Sequence, residues 1–424
     1  MPYRIVLTTL GSFGDVHPYI GLARGLAARG HEPLIATSPY YRTKVEAAGV
    51  AFRAVRPDID PTDAATVARI MDPVRGSEFV VREVALGNLR QTHADLRAAT
   101  DGADALVTHP LTFAGRLVAE ERGLPWISSV LAPMSFFSAH DLPVLAPAPR
   151  AHAARHLGLA ATRSLIHMAK VIARHWADPV RALRSELGLP ETEDPVFEGQ
   201  HSPHLVLALF SRVLAAPQPD WPANSCITGN IFYDGAGDGE GATPELAHFL
   251  ARGPAPIVFT LGTSAVGAAG PFYEESAAAA RGLGMRAVLL IGHDPRNRPQ
   301  GPPSDDVCVC SYAPYSALFP RAAAVVHQGG AGTTAQALRA GRPTLVVPYS
   351  HDQPDNAYRV EQLGVSRTLY PRQYKGPRIS QTLRALLDDP LVATRAADVA
   401  GRVQAEDGVG VACTEIERVL GRLR

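Results

Sequence analysis

The chain reads as an α/β protein built on doubly wound parallel sheets, and three observations predict it. Short apolar runs of strand length alternate with helical segments in both halves. The 424 residues exceed what one ordinary core serves, and two domains of about 200 residues fit the usual size range. A glycine- and acid-rich tract from Asp234 to Gly241 (DGAGDGEG) lies between the halves, with no strand leading into it and no apolar helix directly after it. The expected boundaries are 1–233 for the first domain, 234–255 for a linker and 256–424 for the second domain.

Tyr3 to Leu10 reads as the first strand and Gly11 to His17 as a loop, with Pro18 in the first turn of a helix that ends at Gly30. A strand (31–37), a helix (40–48) and a strand (50–55) complete a β–α–β–α–β order. Residues 78–99 look helical, followed by a strand at 105–108, a helix at 112–122 and a strand at 126–130. From Ser135 to Pro149 the pattern breaks into an aromatic, proline-rich loop, and two helical stretches follow at 151–176 and 179–187. Leu205 to Leu209 and Ile227 to Thr228 close the first domain. Strands at 256–261, 287–291, 307–310, 322–326 and 344–347 repeat the alternation in the second. Helices at 382–387 and 414–423 finish the chain.

Composition narrows the function. Lys plus Arg and Asp plus Glu both number 41, so no net field draws the chain to nucleic acid or to an anionic membrane. Charged residues are 19% and hydrophobic residues 46%, a globular balance. Four cysteines (Cys226, Cys308, Cys310, Cys413) make no disulfide framework. With no charged leader and no long apolar span, the expectation is a cytoplasmic protein without stable membrane insertion. His152 and His156 have helical spacing, but Ala153 replaces the glutamate of a zinc-protease motif. Asp58-Ile59-Asp60 is a D-x-D in a proline-flanked loop of the first domain. No metal and no cofactor are expected. A nicotinamide dehydrogenase is disfavoured because the loop after the first strand reads GSFGDVHP and not G-x-G-x-x-G.

The stretch from His327 to Asn356, HQGGAGTTAQALRAGRPTLVVPYSHDQPDN, carries the most chemistry. A buried strand runs into Gly329, Gly330, Ala331 and Gly332, and Thr333 and Thr334 open a helix. Close backbone approach and free N–H groups at a helix start suit a phosphate or diphosphate. The next strand ends at Pro348-Tyr349-Ser350-His351-Asp352-Gln353, where acid and amide groups emerge from the carboxyl edge of the same sheet.

This segment resembles the donor-sugar signature of family 1 nucleotide-sugar glycosyltransferases, which have the two-domain GT-B fold: two Rossmann-like domains facing a cleft. The HQGG turn and the Asp352-Gln353-Pro354-Asp355-Asn356-Ala357 element carry the resemblance. It implies that His327, Gly329, Gly330, Gly332, Thr333 and Thr334 hold the diphosphate, with Thr263 approaching from the end of the second domain's first strand. It also implies that Asp352 and Gln353 hold the sugar hydroxyls, and that Tyr312 and Ala313 lie against the base. Where the family commonly has a ribose-binding glutamate, this chain has Ala335 beside Gln336, which leaves UDP and dTDP both open. The last helix commonly crosses back to brace the first domain in this fold.

In the first domain, Gly14-Asp15-Val16-His17-Pro18 matches the loop in which many members carry a histidine base. Asp15 stands in that histidine's place, as in antibiotic and sterol glycosyltransferases with a GSxGDxxP-type loop. His109 stands where the orienting aspartate is found. The resemblance implies an inverted dyad of Asp15 and His109, with His17 as a further base candidate and Gly14 near the donor. Phe13, Phe136, Phe137 and His140 are the acceptor-side candidates, and the resemblance implies that the helical stretches at 151–176 and 179–187 line the acceptor pocket. The expected reaction is inverting transfer of a sugar, UDP-glucose-type favoured, to a hydroxyl of a small hydrophobic acceptor such as a phenolic, polyketide, sterol or lipid. The loop and the HQGG–HDQPDN pair also resemble the rhamnosyltransferase of rhamnolipid synthesis, so a dTDP-rhamnose-dependent variant stands beside it. A UDP-sugar 2-epimerase of the same fold and a non-catalytic sugar-nucleotide-binding partner protein are the alternatives of other classes.

Overall fold

The computed structural model describes residues 2–58, 60, 63–235, 243–301 and 304–423. Ile59, in the D-x-D, and residues 236–242 of the expected linker lie outside the described residues. The chain divides into two compact units. The first comprises Met1–Asp60, Arg75–Tyr233 and Glu406–Arg424, and the second Pro61–Val74 and Asp234–Ala405.

The first unit holds a seven-stranded sheet in the order β3-β2-β1-β4-β5-β6-β7. Its strands are β1 (Arg4–Thr8), β2 (Glu32–Thr37), β3 (Ala51–Ala54), β4 (Ala105–Thr108), β5 (Trp126–Val130), β6 (Val206–Ala208) and β7 (Ser225–Ile227). Every pairing is parallel, and β1 meets β4 with Thr8 opposite Thr108. Fully buried Ile5, Leu7, Ile35, Val107 and Ile127 form one face of the core. The last helix, Gly408–Leu423, belongs to that core through Ala412, Cys413, Ile416, Val419 and Leu420. Its approach is tight: a Cβ on Gly408 would lie 2.3 Å from the Asn230 carbonyl oxygen. Glu406 Oε1 accepts hydrogen bonds from Ser211 Oγ (3.0 Å) and Arg212 N (2.9 Å) just before it.

The second unit holds a six-stranded parallel sheet in the order β10-β9-β8-β11-β12-β13. Its strands are β8 (Ile257–Thr260), β9 (Ala287–Leu290), β10 (Val307–Cys310), β11 (Ala324–His327), β12 (Thr344–Val346) and β13 (Ser366–Thr368). Residues 61–74 supply Val67 and Met71 to this unit's core, beside Ala265, Phe272 and Leu345.

Several element boundaries differ from expectation, and two of them have a visible cause. The first helix spans Phe13–Ala28, so the segment expected as a loop is its first turn and Pro18 lies inside it. The cause is a capping box: Ser12 is the N-cap, and Asp15 three residues later returns a hydrogen bond to the Ser12 backbone. The expected helix at 78–99 is interrupted, with α-helical turns at Gly76–Phe79, a wider π-helical stretch at Val80–Ala85 and a fresh helix at Leu89–Ala99. A Cβ on Gly87 would lie 2.3 Å from the Glu83 carbonyl oxygen, so only glycine fits that break.

Candidate active site

Each sheet reverses its strand order once, and ligands of open parallel sheets bind beyond the carboxyl ends of the strands at such a switch. In the first unit the switch lies between β1 and β4, and in the second between β8 and β11. The segments at and just beyond the ends of those four strands carry the GDVHP, His109, Gly262-Thr263 and HQGG residues.

At the first switch, the carboxylate of Asp15 divides its two oxygens. Oδ2 accepts from Ser12 N (2.7 Å) and Ser12 Oγ (3.2 Å), completing the helix cap. Oδ1 lies 3.4 Å from His109 Nε2. His109 is the first residue past β4, and its Nδ1 accepts from Leu111 N–H at 3.2 Å. That bond occupies the Nδ1 lone pair, so the neutral ring carries its proton on Nε2, facing Asp15. Thr112 Oγ accepts from His109 N and donates to His109 O, locking the loop. The His109 side chain is 5% exposed and that of Asp15 31%, so the carboxylate is the member that reaches solvent. Gly11 makes room: at φ +140°, a Cβ there would lie 2.2 Å from Asp15 Oδ2.

The other first-unit candidates separate. His17 stands two positions beyond Asp15 and so on another helix face; its ring packs against Phe13 (5.2 Å) and edge-on to Tyr233 (5.4 Å). Phe13 also meets Tyr41 edge-on, and Tyr41 donates to the Gly11 carbonyl at 2.6 Å. Phe137 is half-buried with a left-handed φ of 46° and meets Phe197 edge-on. His140 is exposed. Phe136 is buried, stacked 4.1 Å from the Trp221 ring with His201 and Phe210 around it, which leaves little surface for a ligand.

At the second switch, β11 runs out at His327. Gly329 takes φ +90°, and a side chain there would press on Val346 and the Gln353 carbonyl oxygen. The helix Ala331–Arg339 starts two residues earlier than the sequence pattern suggests, with Gly330 as its N-cap, so Gly332, Thr333 and Thr334 lie within its first turn. Its first backbone N–H groups have no intrahelical acceptor.

His327 is fully buried, and burial drives its pKa down to about 3, so the ring is neutral near pH 7. Nδ1 accepts from Gly329 N–H (3.1 Å), which leaves the proton on Nε2. That Nε2, Gln328 Oε1 and Thr334 Oγ are buried polar atoms with no protein partner. Three such atoms in one turn call for an explanation. An anion placed here would meet the Nε2–H, the threonine O–H and the helix N–H groups, whereas Gln328 Oε1 needs a hydroxyl or amide donor.

The remaining second-unit candidates surround this turn. Gly262 has φ +61°, and a Cβ on it would clash with Gln328 Nε2 at 2.4 Å; Thr263 beside it is exposed. Asn356 Nδ2 donates to the Gly329 carbonyl (2.9 Å) and to Asp352 Oδ2 (2.7 Å), tying the glycine turn to the acid. Gln353 is 2% exposed, and its Oε1 accepts from Tyr349 N (2.8 Å) and Ser350 N (3.2 Å), so its side chain braces the loop. Tyr312 is exposed and donates to the Asp234 carbonyl at 2.8 Å, while Ala313 is buried. Gln328 and Asn356 were absent from the candidate residues. Both lie inside the quoted signature, but type and spacing do not tell which side chains turn inward. Among the described residues, no group of three or more His, Cys, Asp and Glu gathers that could hold a metal.

Two family descriptions match the chain: the glycosyltransferase family 28 N-terminal domain over residues 5–138, and the erythromycin biosynthesis protein CIII-like C-terminal domain over residues 288–417. O-mycaminosyltylonolide 6-deoxyallosyltransferase of Streptomyces fradiae is 33% identical, covering 98% of this chain and 97% of that protein. Sterol 3-beta-glucosyltransferase of Neurospora crassa is 27% identical over the whole chain, which spans only 28% of that protein. The crystal structure of the glycosyltransferase VinC in complex with dTDP aligns with a TM-score of 0.69 at 21% identity, covering 99% of this chain and all of that one. With this fold, these two domain matches and a relative similar along its full length, the chain belongs to the GT-B glycosyltransferases of the antibiotic and sterol type.

Proposed function

We propose that the chain transfers a hexosyl group, with inversion, from a nucleoside diphosphate sugar to a hydroxyl of a small hydrophobic acceptor. The observation that carries this reading is the Asp15–His109 pair, with one partner buried and the other reaching solvent. The acceptor O–H donates to Asp15, which takes its proton as the oxygen bonds to the sugar's anomeric carbon and the bond to the diphosphate breaks. His109 keeps its Nε2 proton towards Asp15 and holds the carboxylate in position. On the leaving side, His327 Nε2–H, Thr334 Oγ and the first N–H groups of the Ala331–Arg339 helix meet the growing diphosphate charge. Such fixed dipoles stabilise that charge without calling on a metal. Asp352 takes sugar hydroxyls, Gln353 shapes the loop that presents them, and Tyr312 covers the base. Phe13, Phe137 and His140 are the acceptor-side contacts, with Phe136 supporting them from the core.

The residue resemblance favours a UDP-glucose-type donor. The printed activity of the Streptomyces relative, a 6-deoxyallosyl transfer, favours a 6-deoxyhexose on dTDP as the second reading. The test measures donor binding by calorimetry with UDP-glucose and dTDP-6-deoxyhexoses, then product by mass spectrometry with pooled phenolic, polyketide and sterol alcohols. Asp15→Asn is expected to lower kcat by about 10²–10⁴-fold with donor affinity unchanged. Full turnover in both Asp15→Asn and His109→Gln would remove the dyad from the mechanism.

A further inference from the structure

Cys308 and Cys310 stand two residues apart on β10, the edge strand of the second unit's sheet. Residues at that spacing share one face of the sheet. Val307 and Val309 pack into the core of the other face, with Phe259 and Leu289. Both cysteines pack instead with Leu246, Leu250, Leu290 and Phe319. Their sulfurs are 3.5 Å apart. Cys310 is 8% exposed and Cys308 is half-buried, so one residue of the pair is partly open to solvent while its neighbour is shielded.

The contact gives the two thiols different roles. The Cys310 S–H donates to Cys308 Sγ, and that hydrogen bond holds the Cys308 thiol below its ordinary pKa and pushes that of Cys310 up. At Cys308, Arg286 acts with this bond, while burial and Glu245 act against it. The other two cysteines differ: burial pushes the Cys226 thiol up, and that of Cys413 up to about 11. The thiolate is the nucleophilic form of cysteine. Thiolate character and access to an oxidant therefore coincide at Cys308, with a second sulfur already in contact.

We infer that Cys308 and Cys310 are a redox-sensitive dithiol, which peroxide closes to a disulfide that bends the end of β10 leading into Tyr312. The Cys308 thiolate attacks one peroxide oxygen, the O–O bond breaks, and the leaving hydroxide takes up a proton as water. The Cys310 sulfur then attacks the Cys308 sulfenic acid. The S–S bond forms, the S–O bond breaks, and the Cys310 proton leaves with the hydroxide as a second water. The two thiols lose two electrons and peroxide gains them. Cα atoms two residues apart on a strand are about 6.6 Å apart, inside the roughly 4.4–6.8 Å that disulfides span. The Cβ atoms must close to about 3.8 Å, so the strand cannot stay fully extended. An edge strand bends at the cost of one partner, and this bend falls two residues before Tyr312, whose hydroxyl donates to the Asp234 carbonyl. A structural zinc ion fits less well, because it takes four ligands and no third His, Cys, Asp or Glu joins the pair among the described residues. An effect on donor binding rests on the function proposed above, in which Tyr312 covers the base; the disulfide itself does not.

The test treats the full chain with hydrogen peroxide, blocks the remaining thiols and digests with trypsin. The peptide 297–321 carries both sulfurs. It is expected to lose the mass of two hydrogens and to regain it with dithiothreitol. Amide hydrogen exchange across β10 is expected to quicken in the oxidised chain. The Kd of whichever of UDP-glucose and dTDP-glucose binds the reduced chain is expected to rise at least about fivefold on oxidation and to return on reduction. Cys308→Ser and Cys310→Ala, each with the melting temperature of the reduced wild type, are expected to bind donor equally well with and without peroxide. Cys310→Ala is also expected to retain a dimedone-reactive sulfenic acid at Cys308. An unchanged peptide mass, a lasting gain of oxygen at Cys308 or a dimer linked through Cys308 would overturn the inference. So would an oxidised wild type whose β10 exchange and donor affinity are both unchanged. Absence of donor binding by the reduced chain would instead remove the sugar-transfer reading, while peptide mass and exchange still decide the dithiol.

Discussion

Asp15 and His327 show how much of the site rests on single protons. Asp15 keeps one oxygen for its helix cap and turns the other to His109, so the helix cap and the proposed catalytic pair share one side chain. His327 is the opposite case, a histidine held neutral by burial with its donor atom unpartnered. Its folded pKa, about 3, lies below the ordinary 6.5, so the unfolded chain binds more protons between those values. Stability is therefore full above 6.5 and is lost as the pH falls towards 3, by about 1.4 kcal/mol per unit. His201, pushed down to about 4 by burial, acts in the same direction. Urea unfolding at pH 7 and pH 5 is expected to show a loss for the wild type that His327→Gln reduces by about 2 kcal/mol. An unchanged loss in that variant would mean that His327 is protonated in the folded protein. Donor affinity at saturating salt is expected to stay flat from pH 6 to 8 for the same reason.

At the scale of elements, both candidate sites arise from strand order. Asp15 and His109 are far apart in sequence, and parallel pairing of β1 with β4 brings the ends of their strands together. The strands and their ends were legible in advance, because apolar runs mark the strands and glycine and proline mark where they end; that Asp15 belongs with His109 came from the family resemblance and not from the pattern. The start of the first helix was not, since reading Pro18 as a first-turn residue hid the stronger signal of Ser12 and Asp15 at capping-box spacing. The inward turns of Phe136 and Gln353 were not legible either, because residue type gives no side-chain direction in an irregular loop. Gly11 is the element-level test. Gly11→Ala places a methyl in the space of Asp15 Oδ2 at a positive φ, so the cap and the dyad shift together. The expected result is a kcat at least tenfold lower and a stability loss of about 1–3 kcal/mol, read from turnover and urea unfolding of the same preparation. Retained kcat would show that the carboxylate's position tolerates movement.

At the scale of the whole molecule, the chain leaves its first unit at Tyr233 and returns at Glu406 to finish it. The returning helix contributes five buried side chains to the first unit's core, of which Ile416, Val419 and Leu420 are each worth about 1.5–3 kcal/mol when buried, and Ala412 and Cys413 less. Their sum is comparable to the whole stability of a typical domain. Ending the chain after Ala405 is therefore expected to abolish the calorimetric transition of the first unit and retain that of the second. Two transitions in the shortened chain would show that the last helix is dispensable. The same arrangement sets an order of events during synthesis. The half that emerges first from the ribosome lacks part of its interior until residues 408–423 have been made. It must wait, with apolar surface open, while the half made later completes itself; chaperone dependence in the cell should accordingly fall on residues translated early.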